Sequence, residues 1–285
     1  MKLVSYGQPG TERFGIIHPH LAQIIDVNHA DSTIPFDLLT FLQTPDWDKV
    51  QSLVNNLSTI PASALVNLSS VRLGAPLQHP GQIIAVGLNY RNHAKEGGRN
   101  TPFKPMLFGK GINSVTGPFD NVIFHQEVEK LDYEVELGVV IGNRCQKILA
   151  KKAYDYILGY TVLNDVSARC AQFSDQQFFR GKSMDTFAPL GPWIITKDEI
   201  NDPMNLQLTC KVNDQIRQNG NTRDMIFNIP YLLEYISSNI TLMPGDIIAT
   251  GTPDGVGYFN NSLLKKGDIV ELEIENIGKI KNKIV

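Results

Sequence analysis

The stretch Val270-Glu271-Leu272-Glu273-Ile274-Glu275-Asn276-Ile277-Gly278 alternates apolar and acidic residues, then breaks into a turn. That period of two decides the fold class. Successive side chains of a strand point to opposite faces, so Val270, Leu272 and Ile274 form one apolar face and the three glutamates the other. After the turn the chain returns through Ile280 and Ile284. The same signature occurs upstream, where Leu206, Leu208, Cys210 and Val212 alternate with polar residues until Asn213-Asp214 offers a turn. Met243-Pro244-Gly245-Asp246 and Lys265-Lys266-Gly267-Asp268 each precede an apolar pair, as tight turns feeding strands do.

Helices are fewer. Pro230 sits where a first helical turn tolerates it, and Leu232, Leu233, Ile236 and Ile240 follow as a helical stripe. A second helix is expected from Ala150 through Ile157, stopping before Gly159. Strands outnumber helices without regular alternation, which excludes a doubly wound α/β fold and predicts an α+β, mostly β chain with a rolled or sandwich-like catalytic domain. Apolar runs at Leu3-Val4, Phe14-Ile17 and Ile24-Val27, with helical patches near Phe36-Leu42 and Val50-Leu57, predict a small α+β N-terminal domain over residues 1–73. A connector rich in turn formers, Leu73 to Gly81, leads into a catalytic domain over residues 74–285.

With 285 residues, 42% hydrophobic and 19% charged, the chain has the composition of an ordinary globular protein. Its formal net charge is −3, and Lys and Arg are scattered with no aromatic-studded basic stripe, so nucleic acid is excluded as a partner. Apolar stretches are strand-sized and the first residues lack an apolar signal core, which argues against a membrane and predicts a cytoplasmic location. Cys145, Cys170 and Cys210 are widely separated, so neither a disulfide framework nor a Cys-rich zinc site is expected.

Chemistry concentrates in four places. In Asp132-Tyr133-Glu134-Val135-Glu136-Leu137-Gly138, a strand would turn Glu134 and Glu136 to one face, where two carboxylates repel unless a hard cation or a basic side chain separates them. With Asp165 of Asn164-Asp165-Val166-Ser167-Ala168-Arg169 they read as a three-carboxylate cation site; a half-buried strand with a solvated outer face is the alternative. In Gly87 to Glu96, a helix would place His93 and Glu96 at i, i+3, where the carboxylate orients the ring as a general base. The stretch after it, Gly97 to Pro102, has the composition of a mobile lid. Gly181-Lys182-Ser183 is not a phosphate loop, because Gln176 stands where the first glycine is required. Lys182 is left as a solvated charge or a cation aimed at an anionic substrate. Thr250-Gly251-Thr252-Pro253-Asp254-Gly255-Val256-Gly257 is a glycine-rich turn or a pocket wall with exposed donors.

Taken in order, Gly87-x-Asn-Tyr-x-x-His-x-x-Glu96, Asp132-Tyr-Glu-Val-Glu-Leu137, Asn164-Asp-Val-Ser-Ala-Arg169, Gly181-Lys-Ser-x-Asp-Thr186 and Thr250-Gly-Thr-Pro-x-Gly-Val-Gly257 resemble the fumarylacetoacetate hydrolase family over about residues 80–285. Asp185-Thr186-Phe187 with Pro189-Leu190-Gly191-Pro192 is most similar to its fumarylacetoacetate hydrolase domain-containing protein 2-like members. The resemblance implies a mixed β-sandwich roll, a smaller N-terminal domain and a homodimer. It implies Glu134, Glu136 and Asp165 as ligands of Mg²⁺ or Mn²⁺, and His93 with Glu96 as a water-activating dyad on a lid. Arg169, Gln172, Lys182 and Thr252 match positions that hold the carboxylate and keto oxygens of a small 2-keto or diketo acid. Lys182 joins the dyad as a catalytic residue by offsetting enolate charge. Many relatives carry aspartate where this chain has Cys170, which leaves the support of Arg169 in question. The activity implied is hydrolytic carbon–carbon cleavage of an acylpyruvate-like β-diketo acid through a metal-bound enolate. Oxaloacetate decarboxylation or keto–enol tautomerisation on the same site is the alternative, and a silent metabolite-binding protein a third reading.

Overall fold

The computed structural model describes residues 1–285, and it is built from two main sheets, a two-stranded ribbon and a helical layer. The segments whose alternation sets the fold class pair with each other. Gln207–Val212 runs antiparallel to Ile269–Ile274, so that Leu208 faces Ile274, Cys210 faces Leu272 and Val212 faces Val270. Gln215–Asn221 and Gly278–Lys283 complete this four-stranded sheet. Its turns carry the expected backbone: Asn213 and Asp214 both take positive φ, 50° and 65°, the pairing that matches strand twist in a two-residue hairpin.

The larger sheet has twelve strands, centred on Val135–Ile141. This strand pairs antiparallel with Ile157–Asn164 and with Ile247–Ala249, and Ile247–Ala249 runs parallel to Ile83–Gly87. Val135, Leu137, Val139 and Ile141 join Leu208, Leu272 and Ile280 in one 41-residue core between the two sheets. Val140, on the opposite face, belongs to a second core of 21 residues with Phe14, Leu38, Phe41 and Val50. The α+β class and the sandwich-like roll are therefore both present. The chain contains no helix long and apolar enough to cross a membrane.

Two N-terminal helices, Leu38–Gln43 and Trp47–Asn55, start at Asp37 and Asp46, whose carboxylates accept from the N–H groups of Thr40 and Lys49. They bury Leu38, Phe41, Leu42 and Val50 over the large sheet. Backbone pairing crosses residue 73: Lys2–Tyr6 bonds both to Arg13–Ile17 and, through Lys2 with Ile195 and Leu3 with Ile194, to Ala188–Thr196. Nearby, Asp26 is buried and accepts from Tyr6 Oη at 2.6 Å, Arg13 Nε at 2.6 Å and His29 N at 3.0 Å.

One helix expectation is corrected. Ala150–Tyr156 is a 3₁₀ segment and Ile157 already begins a strand. Leu149 offers no capping side chain, and the Ala150 N–H instead donates to Glu234 of the Ile229–Ser237 helix. Seven residues held between that anchor and a strand are too few for an α-helix to outcompete the tighter turn.

Candidate active site and metal centre

Glu134, Glu136 and Asp165 meet where two strands of the large sheet end. Val135 pairs with Asn164, and just beyond that pair the Asp165 N–H donates to Glu134 O at 3.0 Å while the Glu134 N–H donates to Asn164 Oδ1 at 3.1 Å. Register thus brings Asp165 beside a Glu-x-Glu pair thirty residues earlier. All three side chains are buried, and one oxygen from each lies within 4.8 Å of the others. An octahedral Mg²⁺ or Mn²⁺ holds oxygens at about 2.1 Å, so neighbouring ligands stand roughly 3 Å and opposite ones roughly 4 Å apart, which this spacing accommodates. A hard cation suits a donor set of carboxylate oxygens alone, and the solvated-strand alternative is ruled out by burial.

Three cations share the space. Lys182 Nζ donates to Glu134 Oε2 at 2.8 Å and Asp165 Oδ2 at 2.6 Å. Arg169 contacts Glu134 Oε1 at 2.7 Å and Asp132 Oδ2 at 2.8 Å, and its Nη1 donates to Gln172 Oε1 at 3.0 Å. Lys110, fully buried, donates to Asp165 Oδ1 at 2.7 Å and to the carbonyl of Lys182. Asp132, Glu134, Glu136 and Asp165 are four carboxylates facing three cations, so one formal negative charge is uncompensated.

The surplus settles on Glu136. Burial and the neighbouring Asp165 and Glu134 push its carboxyl well above the usual range, against Lys182 and the Gly251 N–H that donates to Oε2 at 2.8 Å. Glu134 goes the other way: burial opposes its charge, but Lys182 and Arg169 outweigh it and hold it near 2. Burial is also the largest influence on Lys110 and lowers its pKa, only partly offset by Asp165. A divalent cation supplies the missing charge, and on these grounds the residues fit one.

The dyad is formed. His93 lies on the helix Arg91–Glu96, its Nδ1 2.8 Å from Glu96 Oε1, and Glu96 Oε2 accepts from the Gly255 N–H at 3.0 Å. Asn89 anchors the segment before it, donating to Thr250 O at 2.7 Å and accepting from the Phe227 N–H at 2.8 Å. His93, Glu134, Glu136, Arg169, Gln172, Lys182 and Thr252 all line one cleft of about 580 Å³, counting its open mouth. Every site residue expected from the sequence is therefore at or beside this cleft. Their donors are not equally free. Thr252 Oγ1 is taken up by Val135 O and Gln218, whereas Gln172 uses only its oxygen and keeps its amide nitrogen for the cleft.

Several contributors escaped the sequence reading. Lys110 sits alone in the strand Met106–Lys110 with no local motif, and only the fold carries it to Asp165. Asp132 accepts from Arg169 and from the Gly257 and Tyr258 N–H groups, so Arg169 is supported despite Cys170. Cys170 itself packs against the core. Arg99, beyond the dyad helix, also lines the cleft.

Fold and site together define an enzyme whose buried oxygen ligands suit a divalent cation. Comparison with known proteins agrees: residues 82–285 match the fumarylacetoacetate hydrolase C-terminal family. The chain is 41% identical over 277 residues to the fumarylacetoacetate hydrolase domain-containing protein 2 homolog of Dictyostelium discoideum, covering 92% of this chain and 89% of that one. It is 39% identical over 294 residues to the mitochondrial oxaloacetate tautomerase FAHD2A of Bos taurus, covering 100% and 92%. Among solved structures, maleylpyruvate hydrolase from Sphingobium sp. SYK-6, in complex with manganese (II) ion and pyruvate, superposes with a TM-score of 0.81 at 29% identity, over 100% of this chain and 99% of that one. The chain belongs to the fumarylacetoacetate hydrolase family.

Proposed function

We propose that the protein is a divalent-metal-dependent oxaloacetate tautomerase, interconverting the keto and enol forms of a small 2-keto acid. One observation carries the reading: His93, the one histidine lining the cleft, is buried beside Glu134 and Glu136 with a single ring nitrogen left free. Likeness to an oxaloacetate tautomerase over the whole chain supports the choice of substrate.

Glu134, Glu136 and Asp165 would hold Mg²⁺ or Mn²⁺, which supplies a Lewis acid for the keto and carboxylate oxygens when bound. Glu96 accepts the Nδ1–H of His93 and fixes the tautomer in which Nε2 is the base. His93 Nε2 removes a proton from the carbon next to the keto group, and the imidazolium returns that proton to the keto oxygen, giving the enol and restoring the neutral base. Lys182, beside that oxygen, offsets its developing charge, and the Gln172 amide holds the substrate carboxylate. Phe108, Phe178 and Phe259 give the cleft an apolar wall, which would limit the approach of water to the enolate.

A second reading is hydrolysis of an acylpyruvate, in which the same dyad activates a water against the distal carbonyl. The likeness to maleylpyruvate hydrolase favours it. Both are tested by incubating the enzyme with Mg²⁺ and either oxaloacetate or acetylpyruvate, following enol absorbance, CO₂ release and pyruvate. Faster loss of oxaloacetate enol without CO₂ or pyruvate is the expected result. Pyruvate from acetylpyruvate without any tautomerisation would replace the first reading by the second. The proposal retains a homodimer in the cytoplasm and a domain boundary near residue 73, checked by light scattering, fractionation and limited proteolysis.

A further inference from the structure

Three permanent cations line the cleft: Arg99, Arg169 and Lys182. Arg169 and Lys182 are ion-paired with Asp132, Glu134 and Asp165, whereas no carboxylate lies within 4.0 Å of Arg99. Its side chain makes no hydrogen bond within the protein, and the residue is exposed at the rim. Arginine in such a place is a free, planar anion receptor.

Its backbone, by contrast, is fixed. The helix Arg91–Glu96 ends with the Gly98 N–H donating to Lys95 O at 3.0 Å and the Arg99 N–H donating to Ala94 O at 2.9 Å. Gly98 takes φ +65°, and these two bonds are those of a Schellman cap, with Arg99 as its last residue. The cap abuts Phe259, whose ring lies 3.0 Å from where a side chain on Gly97 would begin. Arg99 is thus attached to the same short helix that carries His93.

Charge counting says what it receives. The buried cluster leaves one negative charge, and a bound divalent cation reverses this to one positive, which the first carboxylate of a keto acid neutralises. A second carboxylate has no other uncompensated cation in the cleft, whose remaining walls include Val86, Leu88, Met106 and Phe108. We propose that Arg99 binds the distal carboxylate of dicarboxylic 2-keto acids and so selects them over keto acids with a neutral tail. This rests on the keto-acid reading of the site.

The test uses Arg99→Gln and Arg99→Lys in the full chain. Calorimetry at saturating Mg²⁺ compares malate with lactate, which share a head group but differ in the distal carboxylate and do not enolise. The native protein is expected to favour malate by about tenfold or more, Arg99→Gln to bring the two within about twofold, and Arg99→Lys to keep part of the preference. With oxaloacetate, Arg99→Gln should raise KM by about tenfold to a hundredfold and leave kcat within about threefold. An unchanged malate preference in Arg99→Gln overturns the assignment even where tautomerisation is confirmed. A lost preference in a protein that does not turn over oxaloacetate overturns the tautomerase reading and upholds Arg99 as the dicarboxylate receptor.

Discussion

Two polar clusters in this molecule differ in charge balance and in the burial of their cations: the Arg13 side chain is 38% exposed, whereas Lys110, Arg169 and Lys182 are buried. In the N-terminal layer Asp26 faces one cation, Arg13, and its remaining acceptor capacity is filled by Tyr6 and the His29 N–H. In the cleft, four carboxylates face three cations, and Glu136 is left with a single backbone donor. Burying a charge costs stability unless it is paired, so a balanced cluster is a structural joint. An imbalance retained at full burial marks a place where something else binds. Electrostatic surplus, more than the number of acidic residues, distinguishes the two.

The strongest way to break this comparison is Glu136→Gln. Turnover should fall by about 10³-fold or more, since a metal's charge stabilisation is worth several kcal/mol. The metal-free protein should nevertheless melt no lower than the native one, because the change removes the surplus charge. Thermal melts with and without Mg²⁺, together with enol absorbance, measure both; a large loss of metal-free stability would end the surplus-charge argument. His93→Ala should come next, lowering turnover by about 10²–10⁴-fold while the Mg²⁺-induced rise in melting temperature persists.

The smallest effect on turnover is expected at the balanced cluster. Asp26→Ala removes a helix cap and an ion pair and should cost about 2–3 kcal/mol in denaturant titration, with turnover per folded molecule unchanged. Burial tends to raise the Asp26 pKa, but Arg13, Tyr6 and the His29 N–H outweigh it and lower it. With a folded pKa below the unfolded one, its contribution is present above the ordinary carboxylate pKa and lost as pH falls through the folded value. The stability gap between native and Asp26→Ala proteins should therefore close only in acid. A gap unchanged from neutral to strongly acidic pH would show that the carboxylate's charge is not its source.

How much was legible in the sequence follows from the range of the interactions. Period-two segments such as Val270–Ile274, the Asn213-Asp214 turn and the His93–Glu96 helix depend on neighbours a few residues away, and they appear as expected. Glu134, Glu136 and Asp165 were legible as a carboxylate set, the ordered motifs added Arg169, Lys182 and Thr252, and Gln172 came only with the family resemblance. Lys110 and Asp165 are 55 residues apart, and no spacing rule connects a lone strand lysine to a distant carboxylate. The same holds for Lys2 beside Ile195, which joins the N-terminal strands to the main sheet. Asp132 was visible, but its service to Arg169 exists only once two short strands pair, Asp132 opposite Ser167. Arg99 lacked any signal, because a cation free of partners is recognised only after the partners of all others are known.

Glu96 holds His93 with one oxygen and the Gly255 amide with the other. The bolt that secures the helix to the glycine-rich loop is therefore also what aims the imidazole. If the helix swings away, the bolt parts and the aim is lost with it. On the proposed chemistry, the base would be aimed only while the helix is docked on the loop, so that proton abstraction and closure of the cleft would be coupled through Glu96. Protection of the Gly255 amide from hydrogen exchange reports how often the helix is docked.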